Sequence, residues 1–376
     1  MQCEAGTGKA KGEGCIKACI NAAEFYAAMK KVSGALHRST IPELEQIRVD
    51  FEDGVCRMTA SDFTLWLSIE IPAEGDQFSF MFSNTASVVR ACRYYSGDMT
   101  VELCRDSGDL KVRFCAGEKS GVFPAENINL CPVCPSEESQ QHYVLDAPAL
   151  YERIKKVQYA SQVNDANLVL AGVRFDKNHV WCIDGRRIAL NDDPGLTVDR
   201  RFILPSYALA HLNVFRSGEA DLYVGERYAW FASGGNKLLI RKLVPSDETY
   251  IEDVIPTHSA ESYLVDRDKL LDAIGYLDGC SRGLPRHNVL FDGRSLSLKN
   301  GDFEYSAVLE VDGVSNIQYA FDLTLMKDAL KQFAGEKTVR IYVNSKSLPI
   351  VIRADGANTA LLLPVRMQAD SRWNAA

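Results

Sequence analysis

Apolar residues along this chain follow two rhythms, and the changes between them divide it into elements. Spacing of three and four residues predicts amphipathic helices over 22–36, 83–96, 147–160, 205–217, 266–279 and 322–334. Alternation of apolar and polar positions predicts antiparallel hairpins between them. One runs over 47–51, turns at Glu52-Asp53-Gly54 and returns over 55–60. A second runs over 173–175, turns at Asp176-Lys177-Asn178 and returns over 180–183; a third runs over 289–291, turns at Asp292-Gly293-Arg294 and returns over 296–298. Asp, Asn and Gly at the reversals supply the backbone freedom that tight turns require. Short strands at 143–145 and 263–265 lead into helices whose N-caps are Asn21, Asp146 and Asp266, with Pro148 suited to a first turn.

The same passage occurs three times. Residues 88–103, 209–224 and 326–341 each read as a helix, a small residue, a glycine, an acid and an alternating strand. The glycines are Gly97, Gly218 and Gly335, and each is expected to cap its helix at positive φ. Phe25, Leu150 and Leu270 mark a second, earlier helix in each copy. The chain therefore reads as a tandem array of three similar domains, each a duplicated β-α-β-β-β unit. The helices share one side of antiparallel sheets, which is an α+β architecture. The expected boundaries are a leader at 1–14, domains at 15–138, 139–258 and 259–367, and a tail at 368–376, with linkers at 131–139 and 256–260.

Composition narrows the class. The 376 residues are 46% hydrophobic and 24% charged, as in ordinary globular proteins. No apolar run approaches the roughly 18 residues of a membrane span. The first 14 residues lack the apolar core of a signal peptide, so a cytoplasmic protein is expected, with its odd count of 11 cysteines reduced. The net charge of −8 speaks against a protein that grips nucleic acid over its whole surface. Its distribution is uneven: the predicted helices together are basic, and the strands and loops carry the excess acid. Two electrostatic faces follow, although a few chance charges would give the same split.

No catalytic constellation stands out. The nucleophile elbow, the phosphate-binding loop with its lysine and the paired-histidine zinc motif are absent. Gly6-Thr7-Gly8-Lys9 has no strand before it. Cys131-Pro132-Val133-Cys134 with nearby His142 offers three ligands where a zinc site takes about four. Neither catalysis, nor a metal, nor a cofactor is expected.

Several segments, taken in order, resemble the bacterial DNA polymerase III beta subunit, the replicative sliding clamp, over about residues 15 to 367. They are His37-Arg38-Ser39-Thr40-Ile41-Pro42-Glu43-Leu44, Thr59-Ala60-Ser61-Asp62-Phe63, Ile183-Asp184-Gly185-Arg186-Arg187-Ile188-Ala189-Leu190 and Leu362-Leu363-Pro364-Val365-Arg366-Met367. The resemblance implies a clamp fold in which two subunits close head to tail, with helices lining a hole and strands outside. It implies a non-catalytic processivity factor on double-stranded DNA, read without regard to sequence. Partners would be the polymerase III alpha subunit, the clamp loader and other proteins with clamp-binding peptides, with no membrane. Phosphate-facing residues would be Lys30, Lys31, Arg38, Arg90, Arg93, Arg153, Lys155, Lys156, Arg216, Lys327 and Lys331. A solvated surface charge is the plain alternative for each. A partner-peptide pocket would be lined by Leu170, Ile183, Gly185, Arg186, Arg187, Ile188, Val254, Leu361, Leu363, Pro364, Val365, Arg366 and Met367. Their plain alternative is strand core.

The sequence departs from that pattern in places. Ile183 and Arg186 replace a Thr and a His, Thr249 and Asp253 make the pocket rim more acidic, and Leu168-Val169 replaces an aromatic pair. Helices of the last domain carry Asp266, Asp268, Asp272, Asp278, Asp322 and Asp328, so the DNA face is expected to be uneven. Trp373, in the tail, could fold back into the pocket. A divergent clamp is the expectation, with a peptide-binding scaffold no longer loaded on DNA as the alternative and an enzyme using Cys131 and Cys134 as a third reading.

Overall fold

Helices in this chain begin where a short polar side chain can satisfy the first free N–H groups. In the computed structural model Asn21 accepts from the backbone N–H of Ala23 and Glu24 (3.0 and 3.1 Å), opening α1 (Ala22–Ser33). Asn84 does the same for α2 (Thr85–Cys92), accepting from Ser87 at 3.0 Å. Further along are α3 (Ala147–Gln158), the single turn α4 (Ser206–Leu209), α5 (Arg267–Cys280) and α6 (Leu323–Lys331). Asp266 caps α5 and Asp322 caps α6. The structure describes residues 15–36, 40–106, 108–162, 168–192, 195–215, 218–244, 254–256, 259–283, 287–300, 303–314 and 316–366. Expectations for the leader, Arg38, Arg216, Thr249, Asp253, Met367 and the tail lie outside the described residues.

Each longer helix buries one stripe. Phe25, Ala28, Met29 and Val32 form that of α1, and Leu270, Ala273, Ile274 and Leu277 that of α5. The expected helix over 205–217 is instead one α-turn followed by a 3-10 segment, Ala210–Val214. His211 and Asn213 are weak helix formers, and a single α-turn gives them little to extend.

The repeated glycines all have positive φ: Gly97 at 73°, Gly218 at 89° and Gly335 at 97°. They do not cap helices, since α2 ends at Cys92, the 3-10 segment at Val214 and α6 at Lys331. Each glycine lies a few residues later, in the reversal that leads into the next strand. The Gly97 carbonyl accepts from the Ala22 N–H at 2.9 Å, so this reversal also fixes the start of α1.

Two compact units emerge: Met1–Ala147 with Ala210–Arg241, and Pro148–Leu209 with Lys242–Ala376. The first holds a 12-stranded sheet that includes Ile16–Asn21, Leu65–Gly75, Asn236–Arg241 and Gln141–Asp146. Its hairpin turn at Asp53 and Gly54 has φ of 51° and 79°, both positive, as two-residue hairpin loops of the primed kind require. One expectation fails in this unit. Cys15 and Cys104 form a disulfide, with Cα atoms 4.7 Å apart, rather than standing as free thiols. The registered pair Ile16 and Leu103 brings these neighbours face to face on adjacent antiparallel strands.

The second unit has a nine-stranded and a four-stranded sheet. In the larger one, Arg187–Asp192 pairs antiparallel with Asn358–Leu362, joining strands distant in sequence into one surface. Side chains alternate across it. Val265, Ile341, Ile350, Ile352 and Leu362 share a core with α5, α6 and the smaller sheet's Phe291 and Phe321. Inside that core the Tyr263 and Tyr319 hydroxyls hydrogen-bond to each other. Trp181, Ile188, Leu190, Val351 and Leu361 form a separate apolar cluster on the opposite face.

Candidate functional site

Two sets of residues bear on function: the cations of the helices and the outward apolar face of the nine-stranded sheet. Lys30 and Lys31 occupy the last turn of α1, both exposed, where the helix dipole favours positive charge. Arg90 and Arg93 end α2, also exposed, and the Arg90 guanidinium donates to the Ser87 hydroxyl at 3.0 Å. In the second unit Lys155 and Lys156 end α3, exposed, with Arg153 half-buried beside them. Lys155 pairs with Glu152 at 3.1 Å and lies 5.4 Å from the Tyr151 ring centre.

The last helices differ. Lys327 pairs with Asp278 at 2.6 Å, and Lys331 with Asp328 at 3.3 Å. Their acids come from α5 and α6 themselves, so the charge of both lysines is cancelled where it stands. Lys30, Lys31, Arg93 and Lys156, by contrast, have no ion-pair partner among the described residues. Exposed pairs of this kind add little stability, about 0–1 kcal/mol. Their effect is on the field that a polyanion would meet.

The outward apolar face is built from the hairpin His179–Ile183 and Arg187–Asp192. Its two-residue loop needs positive φ at the first central position, and Gly185 provides 86°. The Asp184 carboxylate closes the loop by accepting from the backbone N–H of Arg186 and Arg187 at 2.9 and 3.0 Å. The turn itself therefore demands Gly185. The space where a Cβ would stand is also open, leaving room for an approaching chain.

Across this face Ile183, Ile188, Leu361 and Val351 stand in register on four neighbouring strands. Val254 packs against them, together with Ile255 and Tyr342. Leu363 is 44% exposed at the edge of this surface, and its N–H donates to the Arg186 carbonyl at 2.8 Å. Pro364 and Val365 are half-buried and Arg366 exposed, with the Val365 N–H bonded to the Ala320 carbonyl at 2.8 Å. Leu170, half-buried, lies in the 3-10 segment Leu168–Ala171, and its carbonyl accepts from the Gln162 N–H. Gln162 in turn donates its side-chain amide to the Asp184 carbonyl at 2.9 Å. The structure thus brings Ile183, Ile188, Val254 and Leu361 into one cluster and sets Arg186 and Leu363 at its exposed margin.

Arg187 faces the other way. Its guanidinium bonds Asp184 at 2.8 Å and Asp328 at 3.1 Å and lies 5.1 Å from the Tyr159 ring centre. Burial pushes the Tyr159 hydroxyl well above the usual phenol range, so this residue is a neutral neighbour to the cation. Sequence reasoning missed Trp181, Leu190, Val351 and Tyr342. The signal was available in Val180-Trp181-Cys182-Ile183, an unbroken apolar run of the kind that marks a strand buried on both faces.

The CxxC segment is less promising. Cys134 is exposed, and Cys131 is half-buried, where burial raises its thiol and leaves it weakly nucleophilic. Among the described residues no group of three or more His, Cys, Asp or Glu is placed to hold a metal.

No protein-family model matches the chain. It is similar along most of its length to curated proteins called beta sliding clamp. The Chlamydia trachomatis protein is 22% identical, covering 94% of this chain and 88% of that relative. The Bacillus subtilis protein is 23% identical, covering 88% and 93%. Among solved structures, the C. crescentus beta sliding clamp superposes with a TM-score of 0.85 at 21% identity over 95% of this chain and 100% of that one. A putative DNA polymerase III beta subunit from Eubacterium rectale gives 0.84 at 19% identity over 93% and 99%. The DNA clamp fold is shared.

Proposed function

We propose that this chain is a divergent bacterial beta sliding clamp, a non-catalytic subunit that encircles duplex DNA and tethers a polymerase for processive synthesis. The observation that carries the reading is similarity to proteins of that name over 88–95% of this chain, in sequence and in fold. Three clamp domains at 15–138, 139–258 and 259–367, and a cytoplasmic location, belong to the same reading. So does a head-to-tail dimer. Among the described residues Phe303–Val308 is an edge strand exposing Phe303 and Val308, and Lys119–Glu126 has a largely open edge exposing Val122. A heterologous contact between two different edges, made twice, closes a ring without leaving a template for aggregation.

DNA passing through the ring would meet Lys30, Lys31, Arg90, Arg93 and the cations of α3. Their attraction is counterion release, blind to sequence, and permits sliding. The outward face with Ile188, Leu361 and Leu363 would take short apolar peptides of the polymerase alpha subunit, the clamp loader and other partners. Sedimentation in solution tests the assembly. A stable dimer of twice the chain's mass is expected; a monomer at micromolar concentration contradicts a two-subunit ring.

One observation favours the alternative of a peptide-binding scaffold no longer loaded on DNA. Lys327 and Lys331 are neutralised by Asp278 and Asp328, removing their share of the DNA-facing field.

A further inference from the structure

The outward face of the nine-stranded sheet does not end at the Ile188 row. Outward positions on Arg187–Asp192 are Ile188, Leu190 and Asp192, roughly 7 Å apart along the strand. Val254 and Ile255 pack over the middle of the cluster. Beyond them opens a groove of about 520 Å³, within the usual size of ligand and peptide sites. Leu190, Ile255 and Pro256 give it an apolar lining, and Thr359, Asn358, His179, Asp192 and Arg353 supply polar groups. His179 is already committed to Asp192 at 2.7 Å.

Arg353 is not. It stands directly across from Arg340 on the neighbouring strand. The Arg353 guanidinium lies 5.8 Å from the Tyr342 ring centre, and the Arg340 guanidinium reaches only the Ser262 hydroxyl, at 3.5 Å. Neither arginine has an ion-pair partner among the described residues. Like charges directly opposed on a sheet repel, a cost that is removed when an anion bridges them. An apolar floor beside two guanidinium groups that have no ion-pair partner among the described residues is complementary to a carboxylate next to an apolar side chain. A nucleic acid fits less well, because the Tyr342 ring already has the Arg353 guanidinium over it, 5.8 Å from its centre.

We propose that this groove is a second docking site, for an acidic segment of a partner protein that carries an apolar residue between carboxylates. The proposal holds whether or not the chain loads on DNA; the groove continues the apolar face of Ile188 but takes its charge from Arg340 and Arg353, away from the Leu363 margin.

Fluorescence anisotropy on the full chain tests it, with a labelled Glu-Leu-Asp-Leu-Glu peptide and its Gln-Leu-Asn-Leu-Gln analogue as probes. The acidic peptide is expected to bind saturably and at least about ten-fold more tightly than the neutral one. The double variant Arg340→Gln, Arg353→Gln should lose the same factor while keeping its melting temperature, and Leu363→Asp should leave binding unchanged. No saturable binding overturns the proposal. So does equal affinity for the two peptides, insensitivity to the arginine variant or loss in Leu363→Asp. Displacement by an oligothymidine at lower concentration than by unlabelled peptide would reassign the site to nucleic acid.

Discussion

Arg187 and Asp328 meet at 3.1 Å, which ties the hairpin loop beside the apolar face to α6, the helix that also carries Lys327 and Lys331. The Arg187 side chain is only 13% exposed and also holds Asp184, itself 7% exposed. Removing the cation strands a buried carboxylate. Arg187→Ala is therefore expected to destabilise the fold by about 2–3 kcal/mol, less than a fully buried pair because Asp328 is partly solvated. Urea denaturation measures it, and a loss below about 0.5 kcal/mol would show that the pairing is incidental.

The helix cations should not be equivalent. Lys30→Ala with Lys31→Ala is expected to lower the slope of log affinity against log salt for duplex DNA by about 2. Lys327→Ala with Lys331→Ala should change it little, because those charges are already cancelled by Asp278 and Asp328. Equal effects from the two pairs would remove the asymmetry.

At the apolar face, burial separates structural from binding positions. Ile188 is 2% exposed, so Ile188→Ala is expected to cost about 2–4 kcal/mol of stability. Leu363, 44% exposed, should tolerate Leu363→Asp without a shift in melting temperature. The same change should abolish binding of a polymerase-derived peptide measured by calorimetry.

Gly185→Ala tests the loop. With φ at 86°, a Cβ is strained even where space is open, and a loss of about 1–2 kcal/mol is expected. An unchanged melting temperature would show that the loop reshapes freely.

Acid sensitivity of α5 follows from its cap. The Lys269 backbone N–H, with that of Asp268, holds the Asp266 carboxylate below its usual range. A depressed pKa gives stability that is fully present above about pH 4 and is lost as pH falls through the folded value. Asp266→Asn, an uncharged but competent cap, should flatten that part of the stability profile below about pH 4. An identical acid profile in the variant would contradict the capping role.

Much of this was legible in the residues. Asn21 and Asp266 announce helix starts, and Glu52-Asp53-Gly54 announces its hairpin. Local chemistry sets these features, so they can be read locally. Gly97, Gly218 and Gly335 needed positive φ as expected, yet the helices stop short of them, because helix ends depend on packing as well as on the residue that permits reversal. Side-chain direction was the least legible. Arg187 looked like a ligand for peptides, but strand alternation turns it toward Tyr159 and Asp328, and only the register of Arg187–Asp192 against Asn358–Leu362 decides that. The Cys15–Cys104 bond likewise depends on a partner far away in sequence, 89 residues on.

The central claim is topological, and retention on DNA tests it most directly. The chain, loaded with its clamp loader onto nicked circular DNA, is expected to stay bound through gel filtration at high salt. It should be released when the circle is cut once. Retention that is the same on circular and linear DNA would contradict the account.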